Sequence, residues 1–402
     1  MVLAATAMTS LDLDVAEECV QEAYASALVG WQRDGIPRNP AAWLTTVARR
    51  KAIDVRRREQ KMRPRLPMLI APAMEGELNE ANRLDDVDED RPIRDERLRL
   101  IFMCCHPAIS HDAQLALTLR LVCGVSTADI AQILLVSEST MSARLTRAKQ
   151  KIAVARIPVR VPSEVEMPER LDTVLGVIYL LYTTGHAAPT GLSLHRVDLA
   201  DEALRLARTI HDLMPGEESV RGLLALCLVI EARRHSRIGP DGRAIRLPDQ
   251  DRSLWDLNAI SEARQLINGN GAAPSRDRYS IQARIALVHA EATIPAVTDW
   301  IQIVELYDEL LEVWPNPVVR LNRAVALSET RGPRAALEEI AILEDDARMV
   351  SYRYLPVVKA HLLTQIGSLR EAEEAHARAM DLAENAVERE FLANNLQPRS
   401  RI

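Results

Sequence analysis

Apolar residues in this chain recur at three- and four-residue spacing, and that period confines it to helices. Leu13–Leu28 (LDVAEECVQEAYASAL) shows it plainly. Its apolar residues stand at 13, 16, 20, 23, 24, 27 and 28, and Asp14, Glu17, Glu18, Gln21 and Glu22 lie mostly opposite. From Leu171 onward the pattern is helix after helix. Only 14 of 402 residues are aromatic, while Ala, Leu, Arg and Glu dominate, which excludes an all-β sandwich or barrel. The longest apolar stretches, Leu223–Ile230 and Val174–Tyr182, fall short of the roughly 20 residues a membrane span needs. The N-terminus has no signal-peptide pattern, and five scattered cysteines suit reduced thiols. The expectation is an all-α, cytoplasmic protein without a membrane partner.

Charge divides the chain further. Residues 1–30 carry five acids and no base, and residues 31–65 have a net charge of +8. Residues 66–96 swing to -7, residues 97–160 return to +6, and 161–402 total -9. Two basic modules joined by an acidic connector, ahead of a large acidic body, point to a polyanion partner, and nucleic acid is the usual one.

In the first basic module, Gly35, Pro37 and Pro40 mark a turn, and a helix then runs from Pro40 to the arginine run Arg56–Arg58. Trp43, Val47, Ile53 and Val55 can face a core. Arg49, Arg50, Lys51, Arg56, Arg57 and Arg58 are left for solvent or phosphate. Taken alone, such a run is more often a solvated face.

The second module decides the matter. His111–Val122 is an apolar-periodic helix ending at Gly124. Ser126, with Asp129 three residues on, caps Thr127–Leu134, and Ser137 caps a helix from Glu138 to about Ala155. Met141, Leu145, Ala148 and Ile152 form one stripe of it. Ser139, Thr140, Ser142, Arg144, Arg147, Lys149 and Lys151 occupy the rest. A short helix, a tight turn and a longer cationic helix spell a helix-turn-helix, with Ala131 at the helix contact and Leu135 where many such turns carry glycine. Short polar residues at the start of the second helix suit base edges, and its Arg and Lys suit phosphates.

Two segments now resemble a known family. Ala42–Arg58 (AWLTTVARRKAIDVRRR) is similar to region two of bacterial sigma factors, and Leu117–Ile152 is similar to their region four. In this order, with an acidic connector, they resemble the extracytoplasmic-function (ECF) sigma factors. The rest is similar to a subgroup with a tetratricopeptide-like helical extension, in which a segment like Asp241–Asp256 (DGRAIRLPDQDRSLWD) recurs. The resemblance implies region two over 1–62, an acidic linker over 63–96, region four over 97–160 and the extension over 161–402. It implies a first helix of region two longer than the ten or so residues ahead of Leu11 supply, and hence a late start or an incomplete region two.

The resemblance also assigns roles. Glu17, Glu18, Gln21 and Glu22 would meet the clamp helices of core RNA polymerase, whose flap is a second contact. Trp31–Pro40 would capture an extruded base of the −10 element, beside Trp43 and a cationic wall of Arg49, Arg50, Lys51 and Arg56–Arg58. Ser137, Glu138, Ser139, Thr140, Ser142, Arg144 and Arg147 would read the −35 element of promoter DNA. The acidic stretch Glu75–Glu96 would thread polymerase channels built for nucleic acid.

In the extension, Gly367, Ala372 and Ala379 sit at tetratricopeptide-like offsets, and Gly332 with Leu337 repeats them 35 residues earlier. Trp300–Pro315 with Asn316-Pro317 closes another pair. Such stacks usually take a peptide or protein ligand, or else they only rigidify. Asp249, Gln250, Asp251, Arg252 and Trp255 read either as a regulatory contact with the sigma regions or as a capped helix start with a core tryptophan. Cys104, Cys105, His106 and His111 lack a second metal-ligand pair, and Gly191–His195 lacks the closing glycine of a nucleophile elbow. With no Walker loop, G-x-G-x-x-G or H-E-x-x-H, neither an enzyme nor a cofactor is expected. The leading reading is an ECF sigma factor modulated by its extension, which docks on the sigma modules through Asp249–Trp255. The alternatives are a helix-turn-helix regulator with a tetratricopeptide-like sensor domain, and a scaffold.

Overall fold

The computed structural model describes residues 2–10, 12–62, 96–134, 136–155, 157, 162–163, 165–186, 197–239, 245–269, 275–350 and 352–382. Among them the chain is helical, with no β-strand, and no helix is long and apolar enough to cross a membrane. The connector through Asp95, Leu135 of the predicted turn, Gly191–His195 and Asp241–Ala244 lie outside the described residues. The chain divides into two compact units, Met1–Val177 and Ile178–Ile402.

The first unit opens with α1 (Val2–Ser10), α2 (Leu13–Asp34) and α3 (Pro40–Met62). Asp12 starts α2 by accepting from the backbone N–H groups of Asp14 at 2.8 Å and Val15 at 3.1 Å. Val2, Ala23, Ala27, Leu44 and Ala48 form the core of this bundle, with Val20, Trp31, Trp43 and Val47 packed against it. Leu44, Ala48 and Ala52 recur every fourth residue and take the buried face of α3. Ile53, expected in that core, lies one position past this row and is 39% exposed. The helix ahead of Leu11 is nine residues long, and it buries Val2, Ala5, Thr6 and Ala7.

Then come α4 (Glu96–Cys104), α5 (His111–Leu121), α6 (Thr127–Ile133), α7 (Glu138–Val154) and α8 (Met167–His186). Leu100, Ile101, Phe102 and Met103 of α4 are buried, as are Leu117, Leu119 and Leu121 of α5. The thiols of Cys104 and Cys105 are buried too. Burial pushes that of Cys105 up to about 12, against a weaker pull from its hydrogen bond with Thr118. Arg170 of α8, 8% exposed, donates to the Phe102 carbonyl at 3.4 Å, so this unit runs past Arg160.

The second unit contains α9 (Val197–Leu213), α10 (Glu218–Glu231), α11 (Leu257–Asn268), α12 (Arg278–Glu291), α13 (Trp300–Val313), α14 (Pro317–Arg331), α15 (Pro333–Glu344), α16 (Tyr354–Gln365) and α17 (Leu369–Leu382). Asp256, Asp277, Asp299 and Asn316 cap α11, α12, α13 and α14 with side-chain acceptors. The core is a relay of overlapping clusters. Ile281, Ile303 and Leu327 join α12, α13 and α14. Leu321, Ile340 and Leu362 join α14, α15 and α16, and Leu363 with Ala372 joins α16 to α17. Gly332 and Gly367, at φ of 84° and 82°, stand where two of the tight joints need a left-handed residue.

Helices α10 and α12 approach most closely at Gly222. A Cβ there would lie 2.9 Å from the Ser280 Cα and closer still to its backbone N and Oγ. Gly222→Ala is therefore expected to destabilise the second unit by about 1–3 kcal/mol, the usual penalty for overpacking. Urea denaturation of the full chain followed by circular dichroism checks it.

Candidate nucleic-acid interface

The entry from α6 into α7 hangs on local chemistry. Ser126 and Asp129 form the reciprocal cap of α6: the Ser126 hydroxyl donates to the Asp129 carboxylate at 2.7 Å, and the Asp129 N–H donates back at 3.1 Å. Gly124, at φ of 66°, lets the chain reverse so that the Val125 N–H reaches the Leu119 carbonyl at 3.0 Å. The Val136 N–H then reaches back to the Ala131 carbonyl at 2.9 Å, and Ala131 is 3% exposed at the helix contact. Ser137 opens α7 by accepting from the Thr140 N–H at 3.3 Å.

Helix α7 has two faces. Met141, Leu145, Ala148 and Ile152 are buried as one stripe. Ser137, Glu138, Ser139, Thr140, Ser142 and Arg147 are exposed at its N-terminal half and form a short polar surface ending in a cation. Arg144 stands apart from them: its side chain is 22% exposed and ion-paired with Asp112 of α5 at 3.3 Å.

The basic run of α3 is likewise split. Arg50, Arg57 and Arg58 are exposed. Arg49 donates through Nε to the Ala5 carbonyl within α1, and Arg56 through Nη1 to the Thr9 carbonyl at its C-terminal end, both at 3.3 Å. Lys51 pairs with Glu22 at 2.7 Å. Trp43 packs into the bundle core, edge-on to Trp31 with ring centroids 5.5 Å apart. The Trp31 indole N–H is buried and has no acceptor among the described residues.

On α2, Glu18 and Gln21 are exposed and Glu22 holds Lys51. Glu17 is bound by Lys149 of α7, which also reaches Asp14 at 3.2 Å. The Lys149 side chain is 15% exposed. Burial works against its charge, but the hydrogen bonds and charges of Glu17 and Asp14 outweigh this and raise its pKa. Sequence reasoning missed this clasp, because an ion pair between residues 132 positions apart leaves no local pattern.

Two cationic helices, one on a three-helix bundle and one in a capped helix-turn-helix, make this a DNA-binding protein of the transcription class. Comparison with known families agrees region by region. Residues 7–62 match Sigma-70 region 2 and residues 99–152 match Sigma-70, region 4. Residues 170–270 match a family of unknown function, DUF6596. The chain is 42% identical over 386 residues to the uncharacterized protein R00370 of Rhizobium meliloti (strain 1021), covering 96% of this chain and 90% of that one. The chain belongs to the sigma-70 family, with the ECF-type arrangement of regions two and four followed by a C-terminal extension. It is a non-enzymatic initiation factor that binds core RNA polymerase and promoter DNA.

Asp249, Asp251, Arg252 and Trp255 all fall in the second unit. Trp255 is 5% exposed and donates its indole N–H to the Ser236 hydroxyl at 2.8 Å. Asp251 caps a one-turn helix through the Ser253 N–H at 2.9 Å, and Asp249 pairs with Arg246 at 2.8 Å.

Trp43→Ala is expected to lower the stability of the α1–α3 bundle by about 3 kcal/mol, the lower end for truncating a core tryptophan. Denaturant melts of the full chain, read through tryptophan fluorescence, measure the loss.

Proposed function

We propose that this sigma factor reads its −35 element with the N-terminal half of α7, and that its extension is a tetratricopeptide-like activity-modulating part. The observation that carries the first statement is the clean division of α7 into a buried stripe and an exposed polar face. In this reading Ser137, Glu138, Ser139, Thr140 and Ser142 meet base edges in the major groove and Arg147 meets a base or phosphate. Arg144, braced by Asp112, orients the helix and contributes less. Arg50, Arg57 and Arg58 form the cationic wall for the −10 strand, while Trp43, Arg49, Lys51 and Arg56 hold the shape of α3. Glu17, Glu18 and Glu22 present carboxylates and Gln21 an amide to the polymerase clamp, Glu17 and Glu22 once they leave Lys149 and Lys51. The protein acts in the cytoplasm.

For the extension, support comes from the relay of successive packed helices α13–α17 and from the paired joints at Gly332 and Gly367. We assign it a positive role. It supports the sigma regions, and its helical stack takes a peptide or protein partner. With Arg252 and Trp255 used inside the unit, Asp249 and Asp251 are the members of that segment open to a contact.

Run-off transcription with core polymerase and genomic promoters tests both statements. On a promoter so identified, Arg147→Ala is expected to weaken holoenzyme binding by about 1–3 kcal/mol and to flatten the salt dependence by about one phosphate contact. Arg144→Ala should change binding less and thermal stability more. Truncation after His186, which leaves α8 whole, should lower promoter-dependent transcription. A gain would make the extension an inhibitor.

A further inference from the structure

Many arginines of the second unit pair with carboxylates. Arg208 meets Glu262 at 2.5 Å, Arg264 meets Glu291 at 2.6 Å, and Arg284 meets Glu309 at 3.0 Å. Arg233 and Arg252 differ, since neither is paired with a carboxylate among the described residues. Both guanidiniums lie over the indole of Trp255 instead, at 6.0 and 4.6 Å from the ring centroid. The Nε of each is buried without a hydrogen-bond partner among the described residues. Arg252 uses Nη1 on the carbonyls of His289, at 2.9 Å, and Ala292. That places it firmly while leaving its Nε donor unfilled among the described residues.

The surroundings add positive charge. Burial first, and then the charge of Arg233, lower the pKa of Arg237 to about 10. Burial, with Arg233 and Arg252, holds the His289 ring neutral down to about 4. Glu231, which acts on Arg237, is already engaged by Arg234 and by the Tyr182 hydroxyl at 3.2 Å.

Gathering guanidiniums in a partly dry site with unfilled donors is unfavourable, and cation–π contact with one indole offsets only part of it. An oxyanion offsets the remainder, because its oxygens match the guanidinium fork and its charge answers both cations. Arg233 and Arg252 each keep part of their surface open to solvent, so a ligand has access. We propose that Arg233 and Arg252, braced on Trp255, form a binding site for a small oxyanion, a phosphate or a carboxylate. This gives the modulating role proposed for the extension a ligand class, and it rests on that reading for its consequence but not for the binding itself.

Calorimetric titration of the full chain with inorganic phosphate and, separately, with succinate tests the site in a chloride buffer of constant ionic strength. Saturable binding of either anion is expected, accompanied by a rise in melting temperature, and the arm that binds identifies phosphate or carboxylate as the ligand. Arg233→Gln should weaken it about tenfold or more, whereas Arg264→Gln, at a paired surface arginine, should not. Arg233 donates no side-chain hydrogen bond to a described residue, so its loss leaves the fold intact, and the wild-type melting shift stands independently of any variant. Absence of saturable binding of both anions at millimolar concentration, or equal affinity in Arg233→Gln, overturns the proposal. Binding that leaves transcription unchanged overturns the modulating role and not the site.

Discussion

Close approach of helices at small residues is the constraint on which this structure depends. With 14 aromatic residues in 402, large side chains cannot fill the spaces between helices, so backbones must come together. Ala5, Ala7, Ala16, Ala48 and Ala52 in the first unit are essentially inaccessible, as are Ala203, Ala263, Ala283, Ala324, Ala336 and Ala379 in the second. Gly222 against Ser280 is the extreme case. Helices packed this way have little slack, which suits a factor whose reading helix must keep its register against DNA.

Local chemistry was legible in the sequence, and long-range chemistry was not. The period of Leu13–Leu28, the proline start of α3, the Ser126–Asp129 cap and the stripe Met141–Ile152 are each properties of one short segment, so the residues announce them. The arginine run of α3 looks uniform in sequence. Folded, it divides into residues that satisfy carbonyls of α1 and residues left in solvent, because only tertiary placement decides which cation meets a carbonyl. Arg144 was indistinguishable from Arg147 until Asp112, on another helix, set them apart. Ile53 misled because its apolar character suggested burial, while the four-residue row through Leu44, Ala48 and Ala52 had already filled that face.

Net charge also hid a contrast between the units. The second unit carries its acidic surplus on a surface where many arginines are answered by carboxylates of neighbouring helices. Such networks add orientation between helices more than raw stability, since exposed pairs are individually weak. Against that background an unanswered guanidinium pair is conspicuous in the fold while its two residues are ordinary in the sequence.

The Lys149 clasp makes α7, to which we assign the −35 element, and α2, to which we assign the polymerase contact, each other's ligand. Whatever engages Glu17 from outside must first displace an internal competitor, so the apparent affinity of a partner that used Glu17 would be the intrinsic one scaled by the fraction of molecules with the clasp undone. By reciprocity, on the roles proposed above, polymerase that captured Glu17 would free Lys149 from this pair, so the two engagements would be coupled without a separate switch domain.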